Sequence, residues 1–361
     1  MNRQKYKSLL HQMTQVTPTC FWNDSASVRE LDYAIENGAV GATCNPVIAL
    51  TVAKQEMDYW RDKIAGWISE MPIASEDEFG WRLIKEVSAR GAELLMRVFE
   101  EHNGKNGRLA IQTDPRFYRD ADKITEQAVL FSQLRPNMIV KIPVTDAGIR
   151  AIEEATSQGV SILATVCFTV PQCLAAAVAV ERGLERRRAA GKDISAMAPV
   201  CALMVGRLDD WLKIVANKEG IIIDPGYLEW AGVAVFKKAY SIYRERGYRT
   251  RLLSAAFRNH MQWSEFIGGD VIISPPHKWQ LRFNASDIEV ISRIDKPVEP
   301  QIVEELLRKF ADFARAYAED GLKTTEFDSF GPTVKTLRQF IAACADLSSL
   351  IRDFMMPDPE I

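Results

Sequence analysis

Short apolar runs alternate with longer stretches of helical periodicity along most of the chain. The eight runs are residues 19–23, 40–44, 109–113, 138–143, 160–168, 200–205, 250–254 and 270–274. Several of them are almost continuously hydrophobic, which is typical of parallel strands buried on both faces. The pattern therefore predicts eight parallel strands that are connected by helices.

Helical patterns separate the runs at residues 121–134, 147–157, 171–190, 207–217 with 226–246, and 259–267. The first helix is expected to begin at Ser27, because Glu30 stands at the capping-box spacing, and to end at Asn37-Gly38.

Two further regions are helical in pattern but exceed the needs of a repeating strand–helix unit. Residues 47–103 are too long for one helix, and a break is predicted near Met71-Pro72. The pattern is helical again from about residue 299 onward, after a proline-bracketed stretch, 274–298, that is predicted as a long loop near a barrel mouth.

Eight strands with intervening helices predict an α/β fold of the (β/α)8 TIM-barrel class, with extra helices inserted after strand 2 and at the C-terminus. The chain is expected to form a single domain over residues 1–361. A doubly wound open sheet is the alternative. It would favour a glycine-rich phosphate loop after the first strand, where the chain reads Asn23-Asp-Ser-Ala-Ser27.

The composition argues against several classes of function, among them nucleic-acid binding and membrane insertion. The formal net charge is −3, with 26% charged and 47% hydrophobic residues, so no basic excess suggests nucleic-acid binding. No signal-peptide pattern and no run of about 20 apolar residues is present, so no membrane partner and a cytoplasmic location are expected. The 6 cysteines and 4 histidines show none of the sequence spacings that are typical of disulfide frameworks or metal sites. We therefore expect neither a disulfide nor a bound metal.

Lys141 is the most informative candidate, because it is the one charge in the strand-like run Met138-Ile-Val-Lys-Ile-Pro. A buried lysine is rare, and desolvation favours its neutral, nucleophilic amine, which can form an imine with a ketose carbonyl. An exposed edge-strand lysine or a structural ion pair is an equally acceptable interpretation of the pattern.

Other polar residues stand at or near the ends of the early strands. Asp24 can act as a general base or acid, or it can cap the following helix. Asn45, Thr165 and Gln112 are weak candidates individually, since turn chemistry, strand propensity or a buried hydrogen bond explains each one. Their shared position near strand ends is the stronger signal.

Arg207 follows strand 6 and Arg258 follows strand 7. Two guanidinium groups at a barrel mouth suit a doubly charged anion such as a sugar phosphate. The alternative is a surface salt bridge from Arg207 to Asp209 or Asp210, with Arg258 in solvent.

Four segments, in order, resemble the transaldolase family, which includes the fructose-6-phosphate aldolases. They are Gly-Ala-Thr-Cys-Asn-Pro (41–46), Ile-Val-Lys-Ile-Pro-Val-Thr (139–145), Val-Gly-Arg-Leu-Asp-Asp-Trp (205–211) and Ala-Phe-Arg-Asn (256–259). The segment Thr-Glu-Phe-Asp (325–328) resembles the C-terminal region of the family more weakly. The matches span residues of about 20 to 275.

The resemblance implies a class I mechanism with no cofactor. Lys141 would attack the C2 carbonyl of a ketose phosphate, and Asp24 would take the C4 hydroxyl proton as the C3–C4 bond breaks. A dihydroxyacetone unit would then pass to an aldehyde acceptor. In the same resemblance Thr165 positions a water, Asn45 holds the three-carbon unit, and Arg207 and Arg258 bind the phosphate.

The chain departs from the pattern of many transaldolases. Gln112 replaces a strand-3 glutamate and is similar to the fructose-6-phosphate aldolase branch, whereas Leu163, Ala202, Met204 and Ala256 replace polar or aromatic residues. These changes favour an altered substrate, such as a sugar with a sulfonate tail, or release of free dihydroxyacetone. A sugar-phosphate-binding protein without catalysis is a third hypothesis.

The expected partners are therefore small-molecule sugar phosphates. Four aromatic residues of the predicted insert raise the question of a homo-oligomer interface, but their helical spacing favours the core of the insert: Tyr59, Trp60, Trp67 and Trp81.

Overall fold

Eight parallel strands form a ring in the computed structural model, which describes residues 5–359. The hydrogen-bonded order runs β1-β8-β7-β6-β5-β4-β3-β2, and a parallel bridge between Asn23 and Ala42 closes β1 onto β2. The predicted (β/α)8 barrel is thus confirmed. The strands β1 to β8 are Cys20–Phe21, Gly41–Thr43, Arg108–Gln112, Met138–Pro143, Ile162–Cys167, Val200–Leu203, Arg251–Ser254 and Ile272–Ile273.

Helices surround the ring, and the expected extra helices are present. Between β2 and β3 the chain forms α3 (Pro46–Gln55), α4 (Met57–Glu70), α5 (Glu76–Leu94) and α6 (Met96–Glu101), with the predicted break after Glu70. The C-terminal helices are α15 (Pro300–Lys309), α16 (Ala311–Tyr317) and α17 (Gly331–Met355), and α17 packs on α3 and α5.

The remaining helices are α1 (Leu9–Val16), α2 (Val28–Glu36), α7 (Ala121–Ser132), α8 (Asp146–Ser157), α9 (Val170–Ala189), α10 (Val205–Glu219), α11 (Pro225–Leu228), α12 (Ala231–Arg246), α13 (Met261–Ser264) and α14 (His277–Asn284). Short 3₁₀ turns occur at Pro115–Phe117 and Thr324–Ser329.

The predicted capping box at the start of α2 is wrong. Ser27 is the N-cap residue, but its hydroxyl donates to Glu56 Oε1 at 3.0 Å and makes no cap bond of its own. Glu56 Oε1 also accepts from the Val28 amide at 3.3 Å, so a carboxylate between α3 and α4 caps this helix from the insert. Sequence spacing could not show this, because the cap is supplied by tertiary packing.

The interval 274–298 is not a continuous loop as expected, because α14 occupies its first half. The side chain of Gln280 in this helix donates to Asn23 Oδ1 at 2.6 Å and to the Pro275 carbonyl at 3.0 Å. The helix therefore supports the end of β1. The predicted helix at 259–267 is in turn limited to Met261–Ser264.

The barrel interior is a separate apolar cluster from the larger core between sheet and helices. Its floor contains Trp22, which is almost fully buried, together with Ile139, Leu163 and Leu253. Because side chains alternate along a strand, the residues two positions further on each strand face the same interior, nearer the mouth. This alternation directs Asp24, Lys141 and Thr165 toward one place.

Strand β5 is irregular where it approaches the mouth. Its pairing with β6 shifts register between Ala164 and Cys167, and Val166 has a φ of +54°. A β-branched residue in the left-handed region is strained. The irregularity directly follows Thr165.

The aromatic residues of the insert behave mainly as core. Trp60 and Trp67 are buried and Trp81 packs against the main core, whereas Tyr59 is largely exposed. Within residues 5–359, none of the helices combines the length and apolar character that a membrane crossing requires.

Replacing Gly41 by alanine should destabilise the barrel. An added Cβ would lie 2.5 Å from the Trp22 ring, so the floor would have to shift, at a cost of about 1–3 kcal/mol. Gly66→Ala is the matched control, because nothing lies within 4 Å of its position in α4 and alanine favours the helix. Urea unfolding of both variants measures the effect, and equal stabilities would contradict the packing argument.

Candidate active site

A cavity of about 170 Å³ opens at the carboxyl ends of the strands. Its wall includes six of the seven residues that the sequence singled out: Asp24, Asn45, Lys141, Thr165, Arg207 and Arg258. Residues from β4 and β5 and from the segments after β1, β2, β6 and β7 thus converge, as active-site residues of this fold generally do.

Lys141 lies on β4 inside the ring, so it is not an edge-strand residue. Its side chain is buried, with 7% of the residue exposed. Burial lowers the pKa of Lys141, Arg207 lowers it further, and Asp24 and Cys44 oppose the change. Within residues 5–359 it forms no salt bridge, so a structural ion pair does not account for its burial.

Asp24 is held by a neighbour that the sequence analysis did not single out. The Thr43 hydroxyl donates to Asp24 Oδ1 at 2.6 Å, and Thr43 also lines the cavity. Asp24 does not cap α2, since Ser27 is the N-cap residue. One carboxylate oxygen is therefore held by Thr43, and no side-chain hydrogen bond within residues 5–359 engages the other. Thr43 belongs to the segment 41–46, which was the available signal.

Asn45 has a structural task that leaves half of its amide free. Its Oδ1 accepts from the Ile48 amide at 2.9 Å and caps α3. This bond orients the carboxamide, so the nitrogen can donate to a group in the cavity. Asn45 can therefore both cap the turn into α3 and bind a ligand, so the two interpretations of this residue are compatible.

Gln112 is placed differently from the other candidates. It is the register partner of Lys141 across β3 and β4, but it is not part of the cavity wall. Its Oε1 is buried and has no hydrogen-bond partner within the described part of the chain. The same holds for Ser274 Oγ, which lines the cavity after β8 and was missed from the sequence. Both atoms can accept hydrogen bonds from a ligand or a water.

Arg207 is held by the C-terminal helix. Its Nη1 donates to Gln339 Oε1 at 2.7 Å and to Thr336 Oγ1 at 3.3 Å, both on α17. Its Nε is buried without a partner in the described residues, and burial followed by the nearby Arg258 lowers its pKa. The alternative of a salt bridge to Asp209 or Asp210 does not apply to it.

Arg258 is the arginine that pairs with Asp210, at 2.7 Å between Nη2 and Oδ2, and it is not solely in solvent. The backbone beside it is strained, because Ala256 has a φ of +63°. The Ala256 carbonyl approaches Gly206 so closely that a Cβ there would lie 2.0 Å from the oxygen. The two arginine segments are therefore packed backbone to backbone.

A buried hydrogen-bond chain holds the Arg258 segment from behind. Gln262 Oε1 accepts from the Arg258 amide at 2.5 Å, and Gln262 Nε2 donates to Asp209 Oδ2 at 2.6 Å. Asp209 Oδ1 accepts from the Gly232 amide at 2.8 Å. Burial raises the pKa of Asp209, and its hydrogen bonds to Gly232 and Gln262 oppose the change only in part. This chain fixes the backbone that presents Arg258, whereas Asp210 orients the guanidinium.

One side of the cavity is apolar. Leu163 is the register partner of Lys141 on β5, and Leu253, Ala202, Met204 and Phe257 continue this wall. The polar groups come from the β1, β2, β4 and β5 sides, from the segment after β8 and from the two arginines. The cavity thus combines one buried amine, one carboxylate and a pair of arginines with an apolar surface.

Comparison with known proteins gives a family for this arrangement. The model of the Transaldolase/Fructose-6-phosphate aldolase family matches residues 21–328. The transaldolase of Mycolicibacterium paratuberculosis is 34% identical over 210 residues, which are 57% of this chain and 55% of that protein. The transaldolase of Kocuria rhizophila is 30% identical over 57% of this chain and 56% of its own length.

A third relative, the transaldolase of Thermobifida fusca, is 28% identical over 238 residues, 62% of either chain. The matches thus cover little more than half the length of these relatives. All four cavity-forming segments that resemble the family lie within the matched range 21–328.

Replacing Gln262 by leucine should weaken anion binding. The change removes the acceptor for the Arg258 amide and one donor to buried Asp209, so the segment loses its support. We expect about a tenfold rise in the dissociation constant of inorganic phosphate, measured by calorimetry.

Gln280→Leu serves as the control for this variant. It removes a comparably buried amide that supports Asn23 and has no contact with either arginine. A similar loss of phosphate affinity in both variants would mean that general destabilisation, and not the Arg258 segment, is responsible.

Proposed function

The chain belongs to the transaldolase/fructose-6-phosphate aldolase family, and we propose that it transfers a dihydroxyacetone unit from a ketose phosphate to an aldehyde acceptor. The observation that carries the proposal is the buried amine of Lys141, whose lowered pKa favours a nucleophilic form, in one cavity with the Asp24 carboxylate. An amine and a carboxylate are the two groups that imine-dependent cleavage of a C–C bond requires.

The first half-reaction uses both groups. Lys141 Nζ adds to the C2 carbonyl, and loss of water forms a protonated imine. Asp24 takes the proton of the C4 hydroxyl, the C3–C4 bond breaks, and its electron pair moves toward the imine nitrogen. An aldose phosphate leaves, and the three-carbon unit remains on Lys141 as an enamine. The imine itself is the electron sink, so the sequence of steps requires neither metal nor organic cofactor.

In the second half-reaction the enamine carbon adds to an acceptor aldehyde. Asp24 returns its proton to the new hydroxyl, and water releases the product by hydrolysing the imine. Thr165, which faces the cavity from β5, would position the water that moves protons between these groups. The bond from Thr43 keeps Asp24 oriented in both directions of proton transfer.

The two arginines define the anionic end of the substrate. Arg207 has a buried Nε that lacks a partner in the described chain, and Arg258 lies in the same wall. A phosphate on the terminal carbon of the sugar fits between them, and the free Asn45 amide would hold hydroxyl groups of the three-carbon unit. The same arginines also suit a sulfonate tail, which carries one negative charge less at neutral pH.

The aldolase activity is the second candidate, and Gln112 favours it. A carboxamide beside Lys141 cannot take a proton as a glutamate can, so water activation must differ from that in glutamate-containing relatives. The enamine would then be protonated on carbon, and water would hydrolyse the resulting imine, which frees dihydroxyacetone and restores the Lys141 amine. A binding protein without catalysis is the third candidate, and it would leave the ketose unconsumed over time.

Borohydride trapping in the presence of fructose 6-phosphate tests the imine. Reduction should leave a three-carbon adduct on Lys141, which peptide mass mapping identifies. The adduct should still form at pH values where exposed lysines are fully protonated, because burial lowers the pKa of Lys141.

Lys141→Met supplies the control for trapping and should abolish turnover while preserving the fold. A folded variant that retains substantial activity would overturn the imine mechanism. Failure to trap any of a panel of ketose phosphates on the unsubstituted chain would favour the binding protein.

Gln112→Glu should change the fate of the enamine. The change restores the glutamate that many transaldolases carry at this position, so the ratio of transfer to release should shift by several-fold toward transfer. The ratio is measured as transferred product against free dihydroxyacetone, with erythrose 4-phosphate as acceptor. An unchanged ratio would mean that this position does not decide between the two reactions.

A further inference from the structure

Three cysteines that are far apart in sequence come together behind β5 and β6. Cys167 ends β5, Cys201 lies on β6 and Cys173 is in the first turn of α9, and all three are fully buried. The Cys167 and Cys173 sulfurs are 3.5 Å apart, the Cys167 and Cys201 sulfurs are 4.0 Å apart, and all three lie within 4.8 Å of one another. The sequence analysis predicted no such cluster, since the spacing has no metal motif.

The triangle of sulfurs has the size of a metal site. An ion equidistant from three sulfurs at these separations would lie about 2.3 Å from each, which is the usual metal–thiolate distance. The sulfurs are at the separations of direct S–H···S contact, and it is the convergence of three thiols from β5, β6 and α9 on one point that an ion could use. All six cysteines of the chain are free.

We propose that Cys167, Cys173 and Cys201 bind one thiophilic monovalent ion, Cu(I), in trigonal coordination. Within residues 5–359 the group contains three sulfurs and neither histidine nor carboxylate. Zn(II) is almost always four-coordinate in structural sites, so an all-sulfur set of three suits Cu(I) better. The site is separate from the catalytic cavity and does not depend on the proposed transferase activity.

The thiolate, and not the thiol, is the metal ligand, so each sulfur that binds copper gives its proton to solvent.

Tyr243 lies between the cluster and a cleft at the protein surface. Its hydroxyl donates to the Cys173 carbonyl at 2.6 Å, and the residue lines an open cleft of about 300 Å³ together with Tyr248 and Arg249. The same residue therefore contacts both the cleft and the backbone of one cluster cysteine.

Anaerobic titration of the full chain with Cu(I), in competition with bicinchoninate, tests the site. We expect one tightly bound copper per chain. Cys201→Ala should weaken binding by at least the roughly 10–100-fold cost of disturbing a metal's surroundings. Cys344→Ala is the matched control, because this buried cysteine lies outside the cluster, and its affinity should equal that of the unsubstituted chain.

X-ray absorption of the copper-loaded, unsubstituted chain decides the question even if the cysteine variants fold poorly. Three sulfur neighbours at about 2.3 Å, without nitrogen or oxygen, are expected. Two-coordinate copper, copper that remains tightly bound in Cys201→Ala, equal losses in both cysteine variants, or tighter binding of Zn(II) than of Cu(I) would each overturn the proposal.

Discussion

The central constraint on this structure is the burial of a lysine amine inside the barrel, which costs the amine its hydration. Water would stabilise the charged form of Lys141, and its burial removes most of that stabilisation, so the pKa falls. The protein tolerates this because Asp24 partly compensates and because a closed ring of strands cannot relax toward solvent at one position. The cost to stability and the reactivity of the amine thus have the same origin.

Around that amine the backbone of the arginine segments is held by its own contacts, and the side chains take their positions from that backbone. Gly206 allows the segments that carry the two arginines to touch, and Gln262 with Asp209 holds one of them by its main chain. Strained residues occur at Val166 and Ala256, immediately beside Thr165 and near Arg258. Strain of this kind persists only where the surrounding contacts over-determine the backbone, which is common at functional sites.

The strand-like runs and the helical periodicity together were sufficient to predict the barrel and its extra helices, and the positions at strand ends predicted that Lys141, Asp24 and the two arginines converge. Local patterns failed where the partner is distant in sequence. Glu56 caps α2 in place of Glu30, and α14 formed where prolines indicated a loop. Thr43 and the cysteine cluster were not predicted for a similar reason. The residues that form the Thr43–Asp24 hydrogen bond and the sulfur cluster are brought together by the fold, and their spacing in sequence follows no known motif.

The bonds from α17 to Arg207 have a consequence for the order in which the protein is made. The last barrel strand ends at Ile273, whereas the two groups that hold Arg207 are Thr336 and Gln339. The ribosome must therefore synthesise α17 as well as the barrel before Arg207 can bond to both Thr336 and Gln339. A nascent chain with all eight strands paired would carry a closed ring with Arg207 still unanchored, so the arginine end of the cavity is completed after the barrel.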